Sequence, residues 1–469
     1  MNKKTQWLCR VMALAAVLVL ALGLLGGCGG NGGDVSGSGD SNEEVEGFDG
    51  ATLKVSIWTD TTIPKLGNGE QGDAKYYALE QAKEKYDCKI EWVILPESQY
   101  FDEFVQAAMS GTPYSHIALE HSSSILSWIK QELVHPTDAF IGDNADGRWN
   151  TSYATFKGVN YGLWPNAKNV LPYHFMLYNT RMVQELGLED PQKLAREGKW
   201  DWATFRDYCK RATDPTKGTY GVAAFMLPDS LRYANSSYLW VEEDGKYYNA
   251  YTHPKTNKNA LELLTLVQDM AISDGSILGD RTGGIEAMDL ALNTFTDGNL
   301  LFMYAQKQTS LKTQGFTDYA PVTYPTGPSC DTYYNMRDGY AIWGIPTTNE
   351  YDADQLAEFW MYALTTWDST RGDAYYEENV DELIDALYAT SYQRREDAEF
   401  LYTMGSKMPE RASLNNLLAL GSTEVNKMYY PVISGKSTPA AVIEATAQAI
   451  QTRIDEVFNN AGESTDSAE

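Results

Sequence analysis

Apolar and polar positions alternate along the chain in the two periods typical of strands and helices. Residues 52–58 (TLKVSIW) and 89–95 (KIEWVIL) alternate apolar and polar side chains and predict two strands. Residues 73–86 and 100–110 carry apolar side chains at helical spacing, and the second of these helices should end at Gly111. An alternation of strand and helix is typical of a mainly parallel sheet with helices on its faces.

The same alternation continues towards the C-terminus. Further strands are predicted at 116–120, 172–179, 300–304 and 341–345, and further helices at 122–131, 202–211, 260–272, 286–295, 353–367 and 380–388. A final helix should begin after Ser437, because Thr438 is a candidate N-cap and Pro439 suits the first helical position. The chain is therefore predicted to belong to the α/β class, without internal repeats.

The N-terminus has a different pattern. Basic residues precede an apolar run of 15 residues from 11 to 25, shorter than the ~20 residues that a spanning helix needs. The run ends at Leu25-Gly26-Gly27-Cys28, which resembles the lipobox of bacterial lipoproteins. This resemblance implies a signal peptide over 1–27 and acylation of Cys28, with an uncleaved signal anchor as the alternative.

Two further segments have compositions that do not support a core. Residues 28–49 are mostly Gly, Ser, Asp and Glu, and we expect them to form a flexible tether behind the acylated cysteine. Residues 461–469 form a polar tail. The folded part of the protein is thus predicted to extend from about residue 50 to 460.

The net charge of the chain limits its partners. It is -27 over 469 residues, and removal of residues 1–27 would take away three further positive charges. So acidic a surface repels phosphate backbones and anionic lipid, which argues against nucleic acid as a partner and against peripheral membrane binding.

Cysteine usage gives no sign of a disulfide framework. Cys88, Cys209 and Cys330 would remain in the mature protein, an odd number at wide spacing. One bridge is possible, and at least one thiol should be free.

Six segments in order along the chain resemble the extracellular solute-binding protein family that serves ABC sugar importers. They are 52–58 after the tether, 104–113 (FVQAAMSGTP), 161–162 with 176–187 (MLYNTRMVQELG), 199–202 (KWDW), 295–304 (FTDGNLLFMY) and 435–441 (GKSTPAA). The family usually places an aspartate after Gly-Thr-Pro, whereas Tyr114 stands here. Contacts expected of that aspartate are therefore not transferred to this chain.

The resemblance implies a two-lobed periplasmic-binding-protein-like clamp whose lobes are joined by hinge crossovers. Transferred to this chain, it places residues 50–164 and 305–347 in lobe one, and 165–304 and 348–460 in lobe two. In such a fold, ligand binding shifts an equilibrium between open and closed lobes.

Abundant aromatic residues suggest the chemistry of the ligand. Aromatic residues make up 12% of the chain, and sugar rings need flat aromatic faces beside polar groups. Trp58 and Asp60 stand at the end of the first strand, where open α/β sheets place ligands, and Trp164 stands at a predicted crossover. The family resemblance adds Glu120, His121, Tyr178, Trp240, Tyr304 and Trp343 as ligand-binding candidates.

Other motifs are weaker. Residues 67–72 (GNGEQG) fit a dinucleotide fingerprint but lie well beyond the strand end, and 143–147 (DNADG) does not continue as a calcium loop. His116, Glu120 and His121 could gather a metal, yet the chain has neither HExxH nor tight Cys/His spacing, and GxSxG is also missing. We therefore expect no cofactor, no metal and no catalytic residues.

The resulting hypothesis is capture without turnover. The protein would be a monomer, anchored through Cys28 on the outer face of the cytoplasmic membrane, that delivers a mono- or oligosaccharide to an ABC permease. A secreted glycosidase and a receptor for a membrane sensor kinase are the alternatives, because paired carboxylates or a different partner would suit the same composition.

Overall fold

The fold is taken from a computed structural model of the chain. It describes residues 46–67, 69–112, 114–120, 125–142, 144, 148–149, 154–156, 158–165, 171–172, 174–306, 311–312, 315–331, 335–337, 342–408, 410–412 and 424–459. The predicted signal peptide, Cys28, most of the tether and the polar tail lie outside these residues.

Strands and helices alternate much as the sequence predicts. The strands are β1 (Ala51–Ile57), β2 (Cys88–Ile94), β3 (Ile117–Glu120), β4 (Thr155–Phe156), β5 (Val159–Asn160), β6 (His174–Asn179), β7 (Tyr220–Ala223), β8 (Trp240–Glu243), β9 (Lys246–Asn249), β10 (Ile277–Leu278), β11 (Leu300–Gln306), β12 (Tyr319–Val322), β13 (Asn335–Arg337), β14 (Ile342–Gly344) and β15 (Glu410–Ala412). The helices are α1 (Gly69–Lys85), α2 (Glu97–Met109), α3 (Ile125–Lys130), α4 (Asp138–Ile141), α5 (Thr180–Glu185), α6 (Pro191–Arg196), α7 (Trp202–Ala212), α8 (Leu227–Tyr233), α9 (Asn257–Gln268), α10 (Ile285–Thr296), α11 (Ala353–Arg371), α12 (Asp373–Glu378), α13 (Val380–Thr390), α14 (Arg395–Gly405), α15 (Glu424–Ile433) and α16 (Pro439–Ile454).

Local chemistry sets several of these helix ends. The side chain of Thr438 accepts a hydrogen bond from the backbone N–H of Ala441, and Pro439 is the first residue of α16, as predicted. Asp201 caps α7 in the same way by accepting from Thr204 N–H. Gly111 follows α2 with φ of 70°, a left-handed conformation that glycine adopts without strain.

Two larger sheets organise the chain. The first has the order β14-β3-β1-β2, in which β1 pairs parallel with β2 and β3 while β14 pairs antiparallel with β3. The second has the order β10-β7-β11-β6-β12, in which β6 runs antiparallel to both of its neighbours. The sheets are therefore mixed, each with a parallel part and an antiparallel part.

Two segments pack with a different sheet from the one that the predicted lobe boundaries imply. Residues 319–322, which the prediction places in lobe one, form β12 and pair with β6 in the second sheet. Helix α11, which the prediction places in lobe two, packs along α1, the helix that connects β1 to β2 in the first sheet. Sequence order alone cannot reveal either exchange, because both depend on contacts between distant segments.

The family resemblance places the crossovers between the lobes near residues 162–166, 301–305 and 346–349, and the described parts of these segments have different environments. Leu163 forms an isolated antiparallel bridge with Trp343, and Pro346 forms one with Val134, so both segments run beside the first sheet. Residues 301–305 lie within β11, at the centre of the second sheet.

The cysteines of the described residues form no disulfide. Cys88, Cys209 and Cys330 are all free, in agreement with the predicted free thiol, and burial raises the pKa of Cys88 to about 11. Within the described ranges, no helix is both long enough and apolar enough to cross a membrane, and no group of His, Cys, Asp or Glu could hold a metal ion.

Candidate functional site

Five tryptophans line one pocket beside the first sheet. They are Trp92 on β2, Trp343 on β14, Trp360 and Trp367 on α11, and Trp164 in the segment after β5. The pocket has a volume of about 440 Å³. It lies between the sheet and helices α1 and α11, both of which also contribute lining residues.

The periodicity of strand and helix explains why these side chains meet. Trp343 pairs directly with Leu119 across β14 and β3, so the two side chains share one face of the sheet, and both line the pocket. Trp360 and Trp367 are two helical turns apart on α11 and therefore point to the same side of the helix.

The indole rings contact one another edge to face. The ring centroids of Trp343 and Trp360 lie 4.6 Å apart, those of Trp92 and Trp360 6.5 Å, and those of Trp164 and Trp367 6.4 Å. Trp343 and Trp360 are buried, whereas the other three are half-buried. The half-buried indoles thus leave ring surface available to a ligand.

The polar groups of the pocket are mainly hydrogen-bond donors. Thr62, Lys65 and Lys75 are the polar and charged side chains among the lining residues, and none of the lining residues in the described part of the chain is Asp or Glu. The Lys75 Nζ lies 4.4 Å from the centroid of the Trp367 ring. The indole N–H groups of Trp360 and Trp367 are buried and have no hydrogen-bond partner among the described residues.

Comparison with known families decides the identity of the chain. The profile of the bacterial extracellular solute-binding protein family matches residues 67–327, more than half of the 469 residues. The chain belongs to this family. The family consists of binding proteins rather than enzymes, so the glycosidase alternative loses its support. A search of curated proteins finds no match to the sequence.

Solved structures agree with the fold of a solute-binding protein. The GacH receptor of Streptomyces glaucescens, solved without ligand and with acarbose, has a TM-score of 0.58 at 14% identity, over 87% of this chain and 99% of that chain. UgpB from Mycobacterium tuberculosis in complex with glycerophosphocholine has a TM-score of 0.59 at 14% identity, over 86% and 98% of the two chains. MalE from Listeria monocytogenes in complex with maltose has a TM-score of 0.58 at 14% identity, over 87% and 99%.

At these identities the likeness concerns the fold. It confirms the predicted α/β class and the two-lobed, periplasmic-binding-protein-like architecture.

Only some of the predicted ligand-binding residues of this solute-binding protein lie at the tryptophan pocket. Trp164 and Trp343 line it directly. Asp60 lies at its edge, because its carboxylate is 3.5 Å from the Nζ of the lining residue Lys65. Trp58 instead packs against the rings of Tyr100 and Phe101 of α2, with centroids 5.7 Å from each.

The candidates on β6, on β11 and in the β8–β9 hairpin are held by other contacts. The hydroxyl of Tyr304 lies 2.7 Å from His174 Nδ1, and the buried Tyr178 donates to Asp190 at 2.6 Å. Trp240 packs in the β8–β9 hairpin against Tyr247 and against Phe458 after α16. His121 lies outside the described residues. Whether any of these side chains touches a solute stays a prediction.

Glu120 is the most unusual of the predicted residues. It is fully buried at the end of β3, and neither carboxylate oxygen has a hydrogen-bond partner in the described part of the chain. Burial raises the pKa of this carboxyl well above its usual value, because the charged form loses its hydration. Its carboxyl group lies against the backbone of Gly344 on the neighbouring strand.

Three tryptophans of the pocket are missing from the sequence prediction. Trp92 occupies an apolar position of the predicted strand 89–95, and Trp360 and Trp367 occupy the predicted helix 353–367. The seven-residue spacing of the last two indicated a shared helix face. That this face packs on the first sheet could not be read from the pattern.

Proposed function

We propose that this solute-binding protein captures a mono- or oligosaccharide outside the cell and delivers it to the permease of an ABC importer. The pocket of five tryptophans carries the proposal, because its accessible indole faces suit the apolar C–H faces of a sugar ring. Lobe closure over the bound sugar would present the complex to the permease. The sugar complexes of GacH and MalE support this choice of solute class.

Loss of Trp164 is expected to weaken sugar binding. The Trp164→Ala variant removes one accessible indole face, and we expect an affinity loss of about tenfold or more for any sugar that stabilises the wild type. A thermal-shift screen of mono- and oligosaccharides on the mature protein identifies that sugar, since a ligand of the folded state raises the melting temperature. Isothermal titration then measures both variants.

Tyr388→Ala is the matched control, because it removes an exposed aromatic ring of α13 that does not line the pocket. If Tyr388→Ala abolishes binding while Trp164→Ala does not, the sugar site lies elsewhere than proposed. X-ray scattering tests the closure: the radius of gyration should fall when the sugar is added, and an unchanged value would contradict the clamp.

We also propose that the mature protein is held at the outer face of the cytoplasmic membrane by a lipid on Cys28. The sequence Leu25-Gly26-Gly27-Cys28 supports this placement. Two acyl signals are enough for stable anchoring, whereas the acidic surface alone would be repelled by anionic lipid.

Replacement of the cysteine tests the anchor. In cells that express Cys28→Ser, we expect most of the protein to move from the membrane fraction to the soluble fraction or to run as the uncleaved precursor. Mass spectrometry of the wild-type N-terminal peptide should show the acyl mass on Cys28. A wild-type protein without that mass would rule out the anchor.

A further inference from the structure

The donor-rich lining of the pocket points to a narrower class of solute. Resting on the proposed function, we propose that the solute carries an anionic group, such as the carboxylate of an acidic sugar or a sugar phosphate. Lys75 and Lys65 would receive this group while the indoles stack against the ring.

The hydrogen-bonding groups of the pocket distinguish a neutral solute from an anionic one. Each hydroxyl of a neutral sugar both donates and accepts, so a site for neutral sugars needs acceptor side chains beside its aromatic faces. The pocket instead provides the ammonium groups of Lys65 and Lys75, and the Thr62 hydroxyl is the side-chain acceptor among its described lining residues, while the Asp60 carboxylate at its edge is already paired with Lys65. The indole N–H groups of Trp360 and Trp367 are buried and have no partner among the described residues. A carboxylate or phosphate accepts without donating and therefore matches this lining.

Aromatic cages also bind cations, so a cationic solute is the alternative to an anionic one. A cation is attracted to the face of an indole within about 6 Å of its centroid. That position on Trp367 is already taken by the Lys75 ammonium at 4.4 Å. A cationic solute would have to displace Lys75 from this face and would also meet Lys65, so the two lysines disfavour a cation here.

The protein as a whole is acidic. The net charge of -27 repels anions from the surface as a whole. Lys65 and Lys75 are both exposed at the side chain, and Lys65 is paired with Asp60 at 3.5 Å in an open, solvated setting. Lys75 thus brings a positive charge to this pocket of an acidic protein, whereas the charge of Lys65 is offset by Asp60. The contrast with the rest of the surface can be measured without knowledge of the natural solute.

Charged quenchers of tryptophan fluorescence measure the contrast. Iodide and caesium, titrated separately at equal ionic strength, quench the same indoles but carry opposite charges. We expect Lys75→Gln to lower the iodide quenching constant by about twofold and to raise the caesium constant, since one positive charge leaves the pocket. Lys246→Gln in the β8–β9 hairpin, outside the pocket, is the matched control and should change neither constant as much.

The inference is overturned if Lys75→Gln changes the two quenching constants no more than Lys246→Gln does. It is also overturned if the iodide constant rises in Lys75→Gln. Neither result would affect the proposal of sugar capture, because a neutral sugar could still stack on the indoles.

Matched solutes then test the class directly. D-Glucuronate is compared with D-glucose, D-galacturonate with D-galactose and glucose 6-phosphate with glucose, and choline serves as the cationic probe. We expect the acidic member of at least one pair to raise the melting temperature more than its neutral partner, and Lys75→Gln to remove that difference. Where none of these small probes binds, the quenching comparison decides.

The outcomes separate the two proposals. If the neutral sugar or choline binds more tightly than the acidic sugar, the proposal of an anionic solute is wrong, while the proposal of solute capture still holds. An acidic sugar that binds without any effect of Trp164→Ala and without compaction in X-ray scattering would contradict the proposed function instead.

Discussion

Gly344→Ala is expected to destabilise the protein by about 2–3 kcal/mol, the upper part of the range for inserting a methyl group into a filled interior. A Cβ on residue 344 would overlap Glu120 Oε1 and lie 2.5 Å from the Cδ of Glu120, far inside van der Waals contact. Glu120 is fully buried and cannot swing into solvent, so β14 and β3 would have to separate locally. Urea unfolding of the mature protein measures the loss.

A double-mutant cycle tests whether the loss of stability comes from the overlap with the Glu120 carboxyl. In a Glu120→Ala background the overlapping carboxyl is gone, and Gly344→Ala should then cost less than about 1 kcal/mol. Equal costs in both backgrounds would mean that alanine at 344 acts through the backbone and not through Glu120.

Glu120→Gln is expected to make the protein more stable at neutral pH while changing it little at acidic pH. Burial raises the pKa of Glu120 in the folded state above the usual 4.5, so the folded protein retains a proton that the unfolded chain releases. The contribution of Glu120 to the unfolding free energy of the wild type is therefore fully present below pH 4.5, the usual pKa of the group. This contribution is lost as the pH rises towards the pKa of Glu120 in the folded state.

Glutamine cannot ionise and removes this dependence. The difference in unfolding free energy between Glu120→Gln and the wild type should therefore grow by up to about 1.4 kcal/mol for each pH unit above the usual value, until the folded-state pKa is reached. Urea titrations from pH 5 to pH 8 check it. Glu91→Gln on the exposed side of β2 is the control, expected within about 0.5 kcal/mol of the wild type throughout. Parallel pH profiles for Glu120→Gln and the wild type would show that Glu120 keeps its charge.

The sequence predicts the secondary structure around the site better than it predicts the site. Strands β1 and β2 and helix α11 follow from apolar periodicity, because each buries one face more than the other. Strand β3, also predicted, is buried at all four positions. Short elements such as the β8–β9 hairpin and α6 were missed, since a few residues carry too little periodic signal and depend on tertiary contacts.

The tryptophan pocket illustrates what periodicity leaves out. Trp164 and Trp343 were predicted because they stand at a crossover and at a family position, but Trp360 and Trp367 reach the pocket through the packing of α11 on α1. These two helices are more than 250 residues apart in sequence. Only the folded chain could reveal that contact, and with it the donor-rich lining around Lys75.

Strand β14 and helix α11 lie far towards the C-terminus, and this position has a consequence for biosynthesis. The first sheet cannot gain its fourth strand until the ribosome has translated most of the polypeptide. For the same reason, the pocket tryptophans cannot be enclosed before then. A nascent chain that stays incomplete for so long is well suited to export in an unfolded form, because its amino-terminal half has no finished layer to resist threading through a secretion channel.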